Sequence, residues 1–131
     1  NLYAKAENFL RAMDLWEKRE TLVKNLGYGE QRRLEILLCL VSEPKLLLLD
    51  EPSSGLTGSE SADLIEKIGN LGPDIPVIMV SHDIDLVFGL ATRIIVLHHG
   101  WIIANGTPEE IKVDPRVKEI YTGISEGKGI A

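Results

Sequence analysis

Cysteine, aromatic residues and basic residues are all scarce in this chain. A single cysteine, Cys39, cannot form an intrachain disulfide, so we expect a reduced, cytoplasmic setting. The 14 Lys and Arg residues are outnumbered by 20 Asp and Glu residues, which gives a formal net charge of −6. Because phosphate neutralisation requires a clustered surplus of cations, nucleic acid is not an expected partner.

Long hydrophobic runs are also missing. Apolar stretches such as Leu46 to Leu49 and Ile94 to Leu97 are far shorter than the ~20 residues that a membrane-spanning helix requires. With 131 residues, 44% of them hydrophobic, the chain is expected to form one domain with a single core. Its first residues already follow a helical pattern and include no initiator Met, so we expect it to begin in mid-fold.

Helical spacing of apolar residues marks the first 43 positions. The first predicted helix carries apolar residues three and four apart, namely Leu2, Ala6, Phe9, Leu10, Met13 and Trp16. Such spacing is typical of an amphipathic helix. A second helix is predicted after the glycine-containing stretch 25–29, and Pro44 should end it.

Beyond Pro44, short apolar runs alternate with helical segments. Strands are predicted at Leu46 to Leu49, buried on both faces, and at Val77 to Val80, with helices at about 58–68 and 83–91. A hairpin is predicted from 93–98 and 101–104 around His99-Gly100, and Thr107 should cap a short helix. The tail from Ile124 shows no pattern. This alternation predicts an α/β fold with a mainly parallel sheet.

Two carboxylates, Asp50 and Glu51, follow the first predicted strand directly. They should lie at the carboxyl edge of the sheet, where open α/β folds bind ligands. The first carboxylate can hold Mg²⁺ through water, and the second can orient or deprotonate an attacking water. The alternative is an Asp-Glu pair that begins a turn and caps the next helix.

Two further segments could contribute to the same chemistry. The stretch Leu26 to Gln31 offers backbone N–H groups at a helix start, where phosphate binds favourably; the alternative is an ordinary helix entry. His82 follows the second predicted strand, and its neutral imidazole could donate to a phosphate oxygen or align a water. Alternatively, His82 only caps an element. One His with two carboxylates does not indicate zinc.

The order of these features resembles the ATP-binding subunits of ABC transporters, over about residues 10–123. Leu26, Gly27, Tyr28, Gly29 and Glu30 are similar to the signature motif of that family. The run 46–51 resembles Walker B, with Glu51 as the catalytic glutamate. Residues similar to the D-loop are Ser54, Gly55, Leu56 and Thr57, and His82 resembles the switch histidine.

This resemblance implies an α/β fold that is the C-terminal part of a P-loop NTPase domain. Residues 1–43 would belong to a helical subdomain, 44–106 to the Walker B, D-loop and switch half of the core, and 107–131 to C-terminal helices and a tail. The implied cofactors are ATP and Mg²⁺, with Asp50 binding the metal through water, Glu51 positioning the attacking water and His82 sensing the γ-phosphate. The signature would close on ATP held by a second ATP-binding subunit.

The resemblance also implies partners and a location. Transmembrane permease subunits would be the other partners, and the protein would be peripheral on the cytoplasmic face of the cell membrane. The segments 28–36, 81–90 and 104–111 are most similar to the ATPases of branched-chain amino acid importers. Import of branched-chain or other hydrophobic amino acids is therefore the expected process.

The sequence departs from the family pattern at three points. It contains no G-x-x-x-x-G-K-[ST] phosphate loop, so that loop should lie upstream of Asn1 and the isolated chain should be inactive. Gly27 stands where the family usually has Ser, and Thr57 replaces the usual D-loop Asp. The alternatives are a non-catalytic, nucleotide-dependent dimerisation module and the C-terminal half of a chromosome-maintenance ATPase. The short helix before Gly27 and the acidic charge disfavour the latter.

Overall fold

The computed structural model describes residues 2–70 and 75–126. The helices are α1 (Leu2–Ala12), α2 (Tyr28–Val41), α3 (Gly58–Gly69), α4 (Ile84–Leu90), α5 (Pro108–Val113) and α6 (Pro115–Glu126). The strands are β1 (Leu47–Asp50), β2 (Val77–Val80), β3 (Ile94–His98) and β4 (Trp101–Gly106). The chain divides into two compact units, residues 1–86 and 87–131. Within the described residues, no helix has the length and apolar content needed to cross a membrane.

Helix α1 ends earlier than its apolar spacing predicts. Asp14 adopts the left-handed conformation, with φ 52°, and the N–H of Leu15 donates to the carbonyl of Leu10 at 2.7 Å. These are the features of a helix end of the Schellman type. Trp16, which was expected on the same helix, instead begins a single 3₁₀ turn.

Helix α2 confirms the second predicted helix and ends at Val41, before Pro44. Gly27 is its N-cap residue, and its N–H donates to Oε2 of Glu30 at 2.9 Å. The buried face of α2 includes Ile36, Leu37 and Leu40, and the helix packs against α1 and α3. This arrangement fixes the loop that precedes α2 at one end of the helix.

Strands β1 and β2 are adjacent and parallel, with Leu47 opposite Val77 and Asp50 opposite Val80. Their parallel pairing agrees with the parallel sheet predicted from the alternation of strands and helices. The prediction that β1 is buried on both faces is wrong for the described residues, because Leu47 is 3% exposed whereas Leu48 is 68% exposed. Successive strand side chains point to opposite faces of a sheet, and the described residues cover only one of them.

The second unit contains the predicted hairpin. Strands β3 and β4 pair antiparallel, and His99 and Gly100 between them both have positive φ values of 47° and 81°. Two successive positive φ angles are typical of the type I′ turn that suits a two-residue hairpin. The sheet pairs of the described residues are thus one parallel pair and one antiparallel pair.

A small core holds the second unit together. Its buried members are Ile94, Ala104, Ile111 and Val117. Thr107 caps α5 as predicted, since its side chain accepts from the N–H of Glu110. Helix α6 corrects the expectation of an unpatterned tail, because it continues through residues 124–126; residues 127–131 lie outside the described part.

Candidate functional site

Asp50 and the next residue, Glu51, lie at the carboxyl edge of the parallel pair. Asp50 is the last residue of β1, and the N–H of Glu51 continues the ladder by donating to the carbonyl of Val80 at 2.8 Å. Asp50 is exposed. The described residues form no group of three or more candidate metal ligands. An exposed carboxylate at this edge fits Mg²⁺, which proteins usually bind through one or two carboxylates, waters and substrate phosphates.

Glu51 adopts a backbone conformation that is unusual for a residue with a side chain. Its φ is 46°, in the left-handed region that disfavours L-residues with a Cβ. The conformation turns the chain out of β1 into the buried pair Pro52 and Ser53, and the N–H of Ser54 donates back to the Glu51 carbonyl at 3.0 Å. The turn presents the Glu51 side chain at the strand end.

His82 and Glu51 meet at this edge. Nδ1 of His82 lies 2.8 Å from Oε2 of Glu51. Oε2 is buried, and the contact is an ion pair when the ring is protonated. Two candidate residues from different predicted strands, Glu51 and His82, therefore lie in direct contact.

The same contact changes the protonation of the ring. Contact with the Glu51 carboxylate, through hydrogen bonding and then through charge, raises the pKa of His82, and the charge of Asp83 adds to the effect. The contact therefore stabilises the imidazolium form of His82 relative to a ring without this neighbour. A protonated ring can donate to an anionic oxygen from either nitrogen.

Asp83 holds the backbone that carries His82. Its Oδ1 accepts from the N–H of Leu86 at 3.1 Å, and its Oδ2 accepts from the hydroxyl of Ser61 at 3.0 Å. The N–H of Leu86 and then the hydroxyls of Ser61 and Ser53 hold the pKa of Asp83 below its usual range. No role was predicted for Asp83 from the sequence; its place directly before α4 was the available signal, because Asp is a favoured N-cap.

The candidate signature residues form the start of α2. Gly27 has φ −64° and ψ 157°, so its backbone does not require glycine. The N–H of Gly27 and then Lys18 hold the pKa of Glu30 below its usual range, which keeps this carboxylate ionised. Leu26 and Gly27 precede α2, Tyr28 and Gly29 begin it, and Gly29 is buried.

The candidate D-loop residues lead into α3. Ser54 and Gly55 are exposed and Leu56 is half-buried. Thr57 is the N-cap of α3, since its Oγ1 accepts from the N–H of Glu60 at 3.3 Å and its own N–H donates to Glu60 Oε2 at 2.9 Å. Asp and Thr are both effective N-cap residues, so Thr57 supplies a cap at the position where the resemblance implies Asp.

The structure thus brings two sets of predicted residues together. Glu51 contacts His82, and a Cβ on Gly55 would lie 3.0 Å from Cε1 of Tyr28. Sequence reasoning missed Glu60, whose side chain lies against Gly29. The spacing Thr57-x-x-Glu60, which is typical of a capping box, could have identified the capping role but not the contact with Gly29.

Two family models match parts of the chain. The family model described as ABC transporter matches residues 2–54, and the model described as Branched-chain amino acid ATP-binding cassette transporter matches residues 102–126. The first match includes the candidate signature and Walker B residues, and the second includes most of β4 together with α5 and α6.

Curated relatives carry the same description. The chain is 41% identical over 121 residues to the high-affinity branched-chain amino acid transport ATP-binding protein LivG of Salmonella typhimurium, covering 91% of this chain and 48% of the relative. It is 38% identical over 120 residues to BraF of Pseudomonas aeruginosa, covering 90% of this chain and 47% of the relative. The chain spans about half the length of the curated relatives it matches.

Solved structures show the same fold. The ADP conformation of MJ1267, an ATP-binding cassette of an ABC transporter, matches with a TM-score of 0.81 and 27% identity over 93% of this chain and 50% of that chain. A nucleotide-free ATP-binding cassette from an ABC transporter matches with a TM-score of 0.79 and 28% identity, covering 92% and 49%. The fold is therefore that of the ABC-type P-loop NTPases, an α/β class. The chain belongs to the ATP-binding proteins of ABC transporters, and its sequence relates it to those of the branched-chain amino acid type.

Proposed function

We propose that the full-length protein containing this chain binds and hydrolyses ATP between two ATP-binding subunits and thereby drives import of branched-chain or other hydrophobic amino acids. The observation that carries the proposal is the contact between Glu51 and His82 beside Asp50, at the edge where β1 and β2 both end. The names of LivG and BraF support the substrate class. Transmembrane permease subunits are the other proposed partners, with the protein on the cytoplasmic face of the membrane.

The proposed chemistry assigns one role to each group at this edge. Asp50 binds Mg²⁺ through water, and Mg²⁺ when bound supplies neutralisation of phosphate charge. Glu51 orients the attacking water and accepts its proton. His82, which its contact with Glu51 biases towards the protonated form, donates to an oxygen of the γ-phosphate. Phosphoryl transfer depends mainly on such positioning and charge stabilisation.

The remaining phosphate contacts come from outside these residues. The sequence contains no phosphate loop of the Walker A type, so we assign that loop to the rest of the full-length subunit and expect the isolated chain to be inactive. The start of α2, with its backbone N–H groups and positive dipole end, is proposed to contact ATP held by the second subunit. Hydrolysis would then require the two subunits to close.

The test compares full-length wild-type protein with Glu51→Gln. The substitution keeps the shape of the side chain and removes the base, so ATP turnover should fall by roughly 10²- to 10⁴-fold while ATP binding is retained. Glu43→Gln is a matched control, because Glu43 also has a positive φ, 51° against 46° for Glu51, and is also paired, here with Lys5, but follows α2 rather than β1. Turnover of Glu51→Gln within a few-fold of wild type would show that Glu51 is only a turn residue.

A further inference from the structure

Two close contacts connect the start of α2 to the segment 55–60. In one, a side chain of α2 lies against a glycine of the segment, and in the other, a side chain of the segment lies against a glycine of α2. The ring of Tyr28 lies against Gly55, and the side chain of Glu60 lies against Gly29. A Cβ on Gly55 would be 3.0 Å from Cε1 of Tyr28, and a Cβ on Gly29 would be 3.0 Å from Oε1 of Glu60. Each segment therefore contributes one side chain and one glycine that makes room for the other.

Neighbouring groups fix the Tyr28 ring in place. The Nη2 group of Arg32 donates to the Tyr28 hydroxyl at 3.0 Å, and the guanidinium carbon lies 5.3 Å from the ring centroid. Gly55 has φ 79°, a conformation that a residue with a side chain rarely adopts. Both the backbone and the space at residue 55 therefore require glycine.

Hydrogen bonds from Thr57 hold the Glu60 side chain in place. Its Oε2 accepts from the N–H and from the hydroxyl of Thr57, each at 2.9 Å. Thr57, and to a smaller extent the N–H of Gly29, hold the pKa of Glu60 below its usual range, so the carboxylate is ionised. Gly27 at the N-cap of α2 has no side chain that could accept from this helix. Glu60 therefore brings a negative charge from α3 to the start of α2, where the helix dipole favours it.

We propose that the contacts Tyr28–Gly55 and Glu60–Gly29 form an interlock that makes the signature loop and the D-loop move as one body, with Glu60 as its positioning residue. The inference rests on the proposed function, in which both segments face the second subunit. A single contact would leave the two segments free to rotate about it, whereas two contacts from opposite sides remove that freedom. When the two subunits close, both segments would then reach the second subunit together.

Glu60 provides the cleaner test, because Tyr28 itself belongs to the candidate nucleotide-binding residues. In full-length protein carrying Glu51→Gln to prevent turnover, Glu60→Ala should raise the ATP concentration for half-maximal dimerisation about tenfold. ATP affinity of the monomer should change little, and its melting temperature should fall only by the amount expected for loss of the Thr57 contacts. Glu60→Gln keeps the size and an acceptor oxygen, so it should stay within about threefold of the Glu51→Gln parent. Gly58→Ala is the matched control in the same segment, since a Cβ there meets nothing within 4 Å.

A double variant separates an interlock from two independent contacts. If both contacts are needed for the interlock, the double variant Tyr28→Ala with Glu60→Ala should dimerise no less well than the more impaired of the two single variants. Residues that act as a unit do not have additive effects. Two results would overturn the interlock while leaving the proposed function intact. One is a double variant whose fold-change in the ATP concentration for half-maximal dimerisation equals the product of the two single fold-changes. The other is a Glu60→Ala protein that dimerises like its parent. A Glu51→Gln parent that binds ATP but never dimerises would overturn the proposed function and the interlock together.

Unfolding of the chain tests the contacts without nucleotide. Gly55→Ala should be more destabilising than Gly100→Ala, because Gly100 has a similar φ of 81° but open space around it. Tyr28→Ala should remove most of that difference by making room for the new Cβ. An equal loss of stability in Gly55→Ala and Gly100→Ala would show that the Tyr28 ring does not limit the space at residue 55.

Discussion

Nδ1 of His82 lies 2.8 Å from Oε2 of Glu51, although the two residues follow different strands. The contact follows from the register of the parallel pair, in which Asp50 lies opposite Val80. Each strand is followed by one functional side chain, so parallel pairing brings both to the same edge. A register shift of one residue would separate them.

The His82 pKa should depend on Glu51. Because contact with the carboxylate raises the pKa of His82 in the folded chain, Glu51→Gln should lower that pKa toward the ordinary value of about 6.5. With a raised folded pKa, any stabilisation from the contact is present below about pH 6.5 and is lost as the pH rises through the folded pKa. An NMR titration of the His82 ring protons measures the change, and an unchanged titration in the variant would contradict the contact.

Gly27→Ser should increase ATP-driven dimerisation of the full-length protein. Gly27 has φ −64°, and a Cβ there would be 3.7 Å from Glu30 Oε2, so a Ser side chain fits without strain. In the proposed function its hydroxyl would reach the γ-phosphate held by the partner, and a hydrogen bond to a charged group contributes roughly 1.5 to 3 kcal/mol. The dimer fraction with and without ATP, in a Glu51→Gln background, measures the effect.

The nucleotide-free dimer fraction is the control for Gly27→Ser. Ser is a better N-cap than Gly by only a few tenths of a kcal/mol, and that benefit to folding appears without ATP as well. If Gly27→Ser dimerises less than its parent in saturating ATP, the proposed position of the signature loop against the partner's nucleotide is wrong.

Asp83→Ala should destabilise the chain. Asp83 accepts from the N–H of Leu86 and from the Ser61 hydroxyl, and loss of an N-cap typically costs about 1 kcal/mol, up to about 2. Because its pKa is lowered in the folded chain, the charged form stabilises the fold above about pH 3.9, and this contribution is lost as the pH falls through the lower folded pKa. Urea unfolding at several pH values measures both effects.

Asp83→Asn distinguishes the charge of Asp83 from its capping role. Asn caps a helix about as well as Asp but does not titrate. The variant should therefore keep most of the stability near neutral pH and lose less of it in acid. Equal acid sensitivity in wild type and Asp83→Asn would show that other carboxylates set the acid response.

Two leucines of α2 give a matched pair for the core of the first unit. Leu40 is 1% exposed and Leu38 is 62% exposed, although they lie on the same helix. Leu40→Ala should reduce the free energy of unfolding by about 2 to 5 kcal/mol, because it creates a cavity. Leu38→Ala should change it by less than about 0.5 kcal/mol in the isolated chain. A comparable loss in both variants would contradict the described orientation of α2.

Local sequence patterns predicted which helices and strands form. They were less successful at predicting where those elements end and which residues they contact. Four-residue apolar runs located β1 and β2, and the pair His99-Gly100 located the hairpin turn, because these signals depend on neighbours in the chain. Apolar spacing could not show that Asp14 would end α1, since that end depends on one residue adopting a positive φ. The burial of Leu48 was predicted wrongly, because the other layers around a sheet decide which faces are covered.

The candidate site was predictable in part for the same reason. Motif order placed Asp50, Glu51 and His82 at strand ends, and adjacency of the strands then brought Glu51 to His82. The contact of Glu60 with Gly29 could not be predicted, because it depends on how α2 and α3 pack. The roles of the named residues in nucleotide chemistry stay predictions.

The left-handed backbone of Glu51 has a consequence for how this chain changes under selection. A non-glycine residue in that conformation costs roughly 1 to 2 kcal/mol, which glycine avoids. Selection for folding alone, as in a library screened for resistance to proteolysis, should therefore enrich Gly and Asn at position 51. Selection for ATP turnover should retain Glu, so position 51 is where the two screens are expected to diverge most clearly.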